Sequence, residues 1–466
     1  MKHLKRFCFF TAFLLLLVSC KKEKEETPNN PTTTGENSTD SETMSIIVPN
    51  GEEQYLNIES DYIFDQTQLH TFELDIPEAS YEFLDNNPAA EKYVEGSLTF
   101  EEETISPVGI RYKGSIGGFI GCVSGNNWAN PSGSKTCTKL SMKIKINWEG
   151  REERFYGLKK LQFHSMNADD SQMRDRLGYW LFAQMGVPSP RAVHARLIIN
   201  GEFVGLFSLV EQIDGRFTRH NFDDGTGNLY KEIWPLQKNG TAFPTYKYLE
   251  SLKTNEDESP TANIILGCAQ EVVVASDSEL KTVLNKWMDM NEILSYSVVD
   301  RTIRHDDGPF HWYCGGNNCD PHNFYWYENP TTQKLHLIPW DLDNAFENII
   351  NDANPVTPIA DAWGETSNNC QPFNTSLFGI KQWSAACDKL TGGWTTFEEE
   401  YQALKAEFIN GPLSVAEANT MIDLWAAQIQ EATLEAKETH NDAISVAQWE
   451  NAVNQLKLQL AYAREN

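Results

Sequence analysis

Two carboxylates, Asp341 and Asp343, stand two residues apart in Trp340-Asp341-Leu342-Asp343, just beyond an apolar stretch at 335–338. That stretch reads as a strand. Hard oxygen ligands at a strand end suit a divalent cation and leave positions open for a substrate's phosphate. Taken alone, the pair reads equally well as a helix or turn cap. Upstream, residues 303–324 carry Asp306, Asp307, a Gly-Pro turn and then Asn323 at the start of the next strand.

An Asp, an Asn entering a strand and a later Asp beyond the following strand is a recognisable order. Protein kinases place a catalytic base and two Mg2+ ligands in it. Asp307 is the candidate base, with Asp306 as the alternative. Asn323, Asp341 and Asp343 are candidate metal ligands. The usual HRD, DFG and APE strings are absent. The same acidic cluster would also serve a metal-dependent hydrolase. His311, Cys314, Cys319 and His322 fall in the same stretch, and their spacing suits either a zinc site or a disulfide between the cysteines.

Cations come from the first half. Arg111–Gly118 ends a strand in a basic, glycine-rich turn whose backbone N–H groups can approach phosphate, with Lys113 at its entrance. Glu211 shares strand parity with Phe203, Phe207 and Leu209, so it falls on an apolar face and requires a cation partner. Lys139, Lys143 or Lys145 could supply it, forming a Lys–Glu pair that positions phosphates. Arg174 and Lys231 are further phosphate candidates.

These residues need elements to hold them. Residues 72–146 are mainly strands; in the last, Leu140, Met142, Ile144 and Ile146 alternate with Lys139, Ser141, Lys143 and Lys145. A helix capped at 168–170 runs to about Met185, ended by Gly186 and Pro188. Strands at 193–199 and 202–211 flank Asn200-Gly201, the strongest short hairpin signal. A short strand covers 228–233, a helix lies near 278–299, and strands cover 323–328 and 334–339. The chain is helical from about Phe397. A strand-rich half followed by a helix-rich half is an α+β pattern and suggests two lobes.

Charge and composition bound the function. The chain has 466 residues, with 38 Lys and Arg against 66 Asp and Glu, a net charge of −28. Nucleic acid is a poor partner for such a chain, because phosphates need clustered cations. Residues 1–19 read as a lipoprotein signal peptide ending Leu17-Val18-Ser19, so that Cys20 is lipidated and anchors the chain to a membrane. Residues 20–45 then form a disordered tether, and the charged run at 21–26 resembles an export signal to the outer face of an outer membrane. The expected location is an outer-membrane lipoprotein exposed at the cell surface, with the periplasmic face as the alternative. Local loops suggest disulfides 122–137, 314–319 and 370–387, with Cys268 left over.

The ordered strings resemble the spore-coat kinase H (CotH) family of atypical, protein-kinase-like proteins. They are RYKG at 111–114, KLSMKIKI at 139–146, MRDRL at 173–177, LIINGEFVGLFSLVEQID at 197–214, GNLYK at 227–231, HNFYWYENP at 322–330 and IPWDLD at 338–343. The resemblance covers about residues 62–466. It implies a two-lobed protein-kinase-like fold, with an N-terminal lobe at 46–234 and a C-terminal lobe carrying the metal site at 235–466. It also implies ATP with Mg2+, or Mn2+ in its place, and phosphorylation of Ser or Thr on exported or surface proteins. Carried over by position, Asp307 resembles the base, Asn323 and Asp343 the metal ligands, Glu211 the lobe-bridging carboxylate and Lys231 a core-site lysine. The stretch between Asp307 and Asn323 is long and carries two cysteines, and the turn reads GSIGG where the family commonly has a GNSS-like string. A binding module on the same fold, a surface lipoprotein gripping a protein or glycan without catalysis, is the alternative.

Overall fold

The computed structural model describes residues 59–114, 117–127, 129–316, 318–350, 370–374 and 381–465. The leader, Cys20 and the tether lie outside the described residues, as do Ser115 and Ile116 of the glycine-rich turn.

The alternation along 140–146 becomes the wall of a closed barrel. Met142 and Ile144 join its interior cluster, while Lys143 lies on the outer wall. The barrel comprises β1 (His70–Asp75), β2 (Val94–Phe100), β3 (Glu103–Tyr112), β4 (Met142–Lys145), β5 (Lys160–His164), β6 (Ala192–Ile199) and β7 (Glu202–Val210). Their order is β1-β2-β3-β4-β5-β7-β6, antiparallel throughout except for the parallel β1–β6 pair that closes it. Phe72, Phe100, Ile110, Phe163, Leu197 and Phe207 are among the side chains that fill the inside.

Asn200 and Gly201 join β6 to β7 with φ of 51° and 82°, the left-handed pair that a type I′ turn demands. A register shift opposite Leu197 and Ile198 then bulges β7, so Phe203 and Phe207 end in different clusters. Helix α1 (Glu78–Asn86) follows β1. Helix α2 (Arg174–Gln184) lies against β6 and starts later than the sequence suggests, because Asp169 folds 169–174 into a turn by accepting from the Ser171 and Arg174 N–H groups.

The second core gathers around α2 and everything after β7. In chain order come α3 (Gly215–Asn221), β8 (Leu229–Lys231), α4 (Thr245–Glu250), α5 (Asn263–Val274), α6 (Asp277–Trp287) and α7 (Met290–Thr302). The single helix expected near 278–299 is two: Met288 is extended, and the Asp289 side chain caps α7. Next are β9 (His311–Gly315), β10 (Asn318–Asp320), β11 (Phe324–Asn329), β12 (Lys334–Pro339), β13 (Phe373–Asn374) and β14 (Lys381–Ser384). Strand β11 pairs with β12 and β8, and β9 pairs with β10 and β14. Helices α8 (Lys389–Trp394), α9 (Glu398–Asn410), α10 (Thr420–Thr439) and α11 (Val446–Glu465) finish the chain, with α10 laid along β7.

The architecture is α+β, with a strand-rich first half and helices concentrated in the second. Disulfides join Cys122–Cys137, Cys314–Cys319 and Cys370–Cys387, as the loop lengths suggest, and Cys268 is free and buried. The zinc alternative for 311–322 is corrected, because its two thiols are joined to each other. Among the described residues, no helix is long and apolar enough to cross a membrane.

Candidate active site

Helix α2 meets the loop after β12 where β3 and β5 end. Asp175 and Tyr179 are one helical turn apart, so both face that loop. The Asp341 N–H donates to the Tyr179 hydroxyl at 2.9 Å, and the Leu342 N–H donates to Asp175 Oδ1 at 3.3 Å. Gly178 lies between them and makes room for Leu342. A Cβ at 178 would stand 2.6 Å from Leu342 Cδ1. Arg174 donates to the Asp343 carbonyl at 2.9 Å and pairs with Asp169 and Glu347. Arg174, expected among the phosphate groups, instead grips the backbone of the acid loop.

The opposite side is the segment after α7. His305 Nδ1 faces Asp300 Oδ2 at 3.2 Å, and Nε2 faces the Asp341 carbonyl at 2.9 Å. The Asp341 carbonyl only accepts, and a charged Asp300 does too; facing that pair, both ring nitrogens donate as an imidazolium. Burial alone would lower its pKa, but the Asp300 hydrogen bond and charge raise it to about 9. Asn323 ties this segment to the acid loop. Its Nδ2 donates to Asp307 Oδ2 at 2.7 Å, and its carbonyl accepts from the Trp340 N–H at 3.2 Å. Asn323 and Asp341 both have left-handed φ, 58° and 55°. Asn and Asp enter this region more readily than other side chains, so both bends come at little cost.

Asp306 and Asp307 part company. Asp306 accepts from the Asn348 amide, and burial pushes it up to about 7. Asp307 turns to Asn323. Burial raises its pKa, with Asp341 and Glu232 adding and His322 and His305 opposing. Burial and then the charges of Asp341, Asp175 and Asp307 hold Asp343 well above the usual carboxylate range.

Lys113 completes the cluster. Its Nζ lies 2.6 Å from His164 Nε2, and His164 Nδ1 lies 2.9 Å from Asp175 Oδ2. Nζ also stands 5.3 Å from the Trp340 ring centroid. Burial lowers Lys113 to about 8, against the charges of Asp341 and Asp175. Lys231 is close enough to repel it and pairs with Glu232 at 3.8 Å.

Lys139 and Glu211 sit elsewhere, while Lys143 shares the outer barrel face with Arg111, whose charge reaches Lys113. Lys139 Nζ donates to the Leu206 carbonyl at 2.9 Å, near the seam with α10. Lys143 lies on the outer wall of β4, in register between Arg111 and Gln162. The expected lysine partner of Glu211 is corrected. Glu211 is buried, and its cation is Arg191, which holds both carboxylate oxygens at 2.7 and 2.9 Å. Cavities of about 250 and 410 Å³ open on other faces of the barrel, lined by residues outside this cluster.

The CotH kinase protein family matches residues 110–463. The chain belongs to that family. The match begins within β3 and ends in α11, so it contains the whole cluster from Lys113 to Asp343. The chain is also similar to the inner spore coat protein H of Bacillus subtilis (strain 168), 21% identical over 197 residues. That similarity covers 41% of this chain and 50% of the relative, so the chain spans about half the length of the curated protein it matches.

Among the described residues, no group of three or more His, Cys, Asp or Glu side chains is placed to hold a metal ion. An open Mg2+ site needs only one or two carboxylates, because phosphate oxygens complete it. The donors fit that case. Asp341 and Asp343 offer hard oxygens on the loop that Asn323 holds through the Trp340 N–H, and burial, followed by the charges of Asp341, Asp175 and Asp307, raises the Asp343 pKa, a charge load that a divalent cation would offset.

Sequence reasoning missed His164, Asp175, Tyr179, Asp300 and His305. A signal existed for some of them. Asp175 falls in the quoted MRDRL string, one turn before Tyr179, on a helix too buried to carry an idle carboxylate. His305 directly precedes the Asp306-Asp307 pair.

Proposed function

We propose that this chain is an ATP-dependent protein kinase of the CotH type. It would transfer the γ-phosphoryl group to Ser or Thr on exported or surface proteins. One observation carries the reading: a single hydrogen-bonded unit links Asp307, Asn323 and the Asp341–Asp343 loop, and Lys113 is held beside that loop. Asn323, Asp341 and Asp343 would hold Mg2+. When bound, it neutralises phosphate charge.

The chain's own residues do the rest. Asp307 accepts the hydrogen bond, and then the proton, of the acceptor hydroxyl at a carboxylate oxygen. Asn323 fixes the direction in which that oxygen points. Lys113 meets the phosphate oxygens as a cation, and Trp340 backs its side chain. His305, Tyr179 and Asp175 fix the loop that carries the acidic pair, so the reacting groups are positioned in advance. A lipid on Cys20 and the tether at 20–45 would keep the domain at a membrane surface, near exported acceptors.

The test is autophosphorylation of the full chain with ATP and Mg2+ or Mn2+, read by intact mass. Whole phosphate units should appear in wild type and vanish in Asp307→Ala and Asp343→Ala. No mass gain, with no thermal shift on adding nucleotide and metal, sinks the kinase reading and moves the weight to a surface binding module.

A further inference from the structure

We propose that His164 is the positioning residue for Lys113, holding it as a full cation toward the nucleotide's phosphates; this rests on the kinase reading above. The geometry assigns the tautomer. Asp175 Oδ2 only accepts, so His164 Nδ1 carries the proton that faces it at 2.9 Å. Nε2 is then a lone pair, and the Lys113 ammonium donates to it at 2.6 Å. The His164 and Asp175 side chains are 10% and 5% exposed, so little water competes for either bond.

The relay is braced on every side. The second Asp175 oxygen takes the Leu342 N–H, so one carboxylate sets both the His164 tautomer and the seat of the acid loop. The Trp340 ring meets His164 edge-on at 5.7 Å and lies beneath Lys113. The charged groups facing Lys113 are Asp175 from α2, Asp341 from the acid loop, Lys231 from β8 and Arg111 from β3.

An imidazole differs in kind from the carboxylate partner that sequence analysis assigns to a phosphate-positioning lysine. A carboxylate in contact would cancel much of the ammonium charge. A neutral imidazole fixes where the ammonium points and leaves its charge for phosphate. Glu211, the carboxylate expected in that role, is committed to Arg191.

The experiment uses the full chain as wild type, His164→Ala and His164→Gln, with two readouts. One is ATP·Mg2+ affinity by titration calorimetry. The other is acylation of Lys113 by an amine reagent across pH, followed by peptide mass spectrometry. His164→Ala should weaken ATP·Mg2+ about ten- to hundredfold, the scale of a lost hydrogen bond to a charged group. It should also move Lys113 labelling to lower pH, because the ammonium loses its acceptor. His164→Gln keeps a neutral acceptor of similar reach and should recover most of both. Should the Ala variant fail to fold, the Gln variant carries the test. A Gln variant with Lys113 labelling as in wild type but affinity lost in full would overturn the proposal. So would an Ala variant that matches wild type in affinity, whatever its labelling. Wild type that binds no ATP·Mg2+ would instead sink the kinase reading, and the phosphate role of Lys113 with it.

Discussion

Gly178→Ala tests whether the seat of Leu342 sets the site. The added methyl would lie 2.6 Å from Leu342 Cδ1, 3.3 Å from its Cβ and 3.5 Å from its Cγ. Leu342 is fully buried, so its side chain cannot simply swing into solvent. Relieving the clash means moving Leu342, and with it the backbone between Asp341 and Asp343. Overpacking of this kind costs about 1–3 kcal/mol. Replacing glycine with alanine inside a helix returns about 1 kcal/mol. The net loss is about 0–2 kcal/mol, a fall in melting temperature of a few degrees for a chain of this size. Function should suffer far more, because a displacement near 1 Å at reacting groups costs about a hundredfold in rate. The assay pairs a thermal melt without ligand with phosphate incorporation under saturating ATP and Mg2+. A variant that melts within a few degrees of wild type and keeps full activity would refute the idea that α2 places the acid loop.

Asp343→Asn should raise the melting temperature without metal, because burial and three neighbouring carboxylates disfavour the charged form, and should lose the stabilisation by Mg2+ with nucleotide. A variant that keeps that stabilisation would remove Asp343 from the ligands. His305 has a folded pKa of about 9 against 6.5 unfolded, so its contribution is whole below pH 6.5 and fades as pH rises through 9. That gap is worth about 3 kcal/mol. Lys113 and Lys139, lowered to about 8, act in the opposite direction, so the readout is the difference between wild type and His305→Asn in chemical denaturation across this range. A difference that does not change with pH would mean that His305 is not charged in the fold. Arg191→Met strands the buried Glu211 and should cost about 3–5 kcal/mol, with Arg191→Met/Glu211→Leu recovering most of it. If the double variant is stable but binds no ATP, Glu211 has a nucleotide role beyond its ion pair.

What the sequence shows well is local. Asn200-Gly201 dictates a hairpin because both positions need left-handed φ. The three disulfides close short loops, so separation suggests the pairs that the structure joins. The spacing of Asp341 and Asp343 alone fits a cap as well as a metal pair; only their order after Asp307 and Asn323 sets them apart. What stays hidden depends on distance in the chain or on a one-residue slip. Arg191 reaches Glu211 across the open end of the β6–β7 hairpin, 20 residues away. The bulge near Phe203 breaks the strand parity that grouped it with Phe207 and Leu209. Barrel closure needs β1 to pair with β6, a contact no local pattern announces. His164 ends a strand that the sequence pattern does not mark, and nothing near it in the chain shows that α2 will bring Asp175 to it.

The two histidines of the site show how partners, and not sequence context, decide charge. His305 sits between two acceptors and must carry two protons; His164 sits between an acceptor and a donor and carries one. One adds a fixed positive charge behind the Asp341 backbone. The other adds none and only directs Lys113. The consequence is a site whose fixed cations other than Lys113 are spoken for. Arg174 holds the Asp343 carbonyl, Lys231 pairs with Glu232, and His305 binds Asp300. The Asp343 carboxyl, buried and then pressed by Asp341, Asp175 and Asp307, is short of positive charge. A divalent cation arriving with phosphate would supply that charge. Stability and function therefore oppose each other at Asp343, where removing the charge relaxes the fold, and agree at Gly178, where the same crowding that loosens the helix–loop seat also misplaces the carboxylates. Only a site built around an incoming cation predicts opposite signs at those two positions.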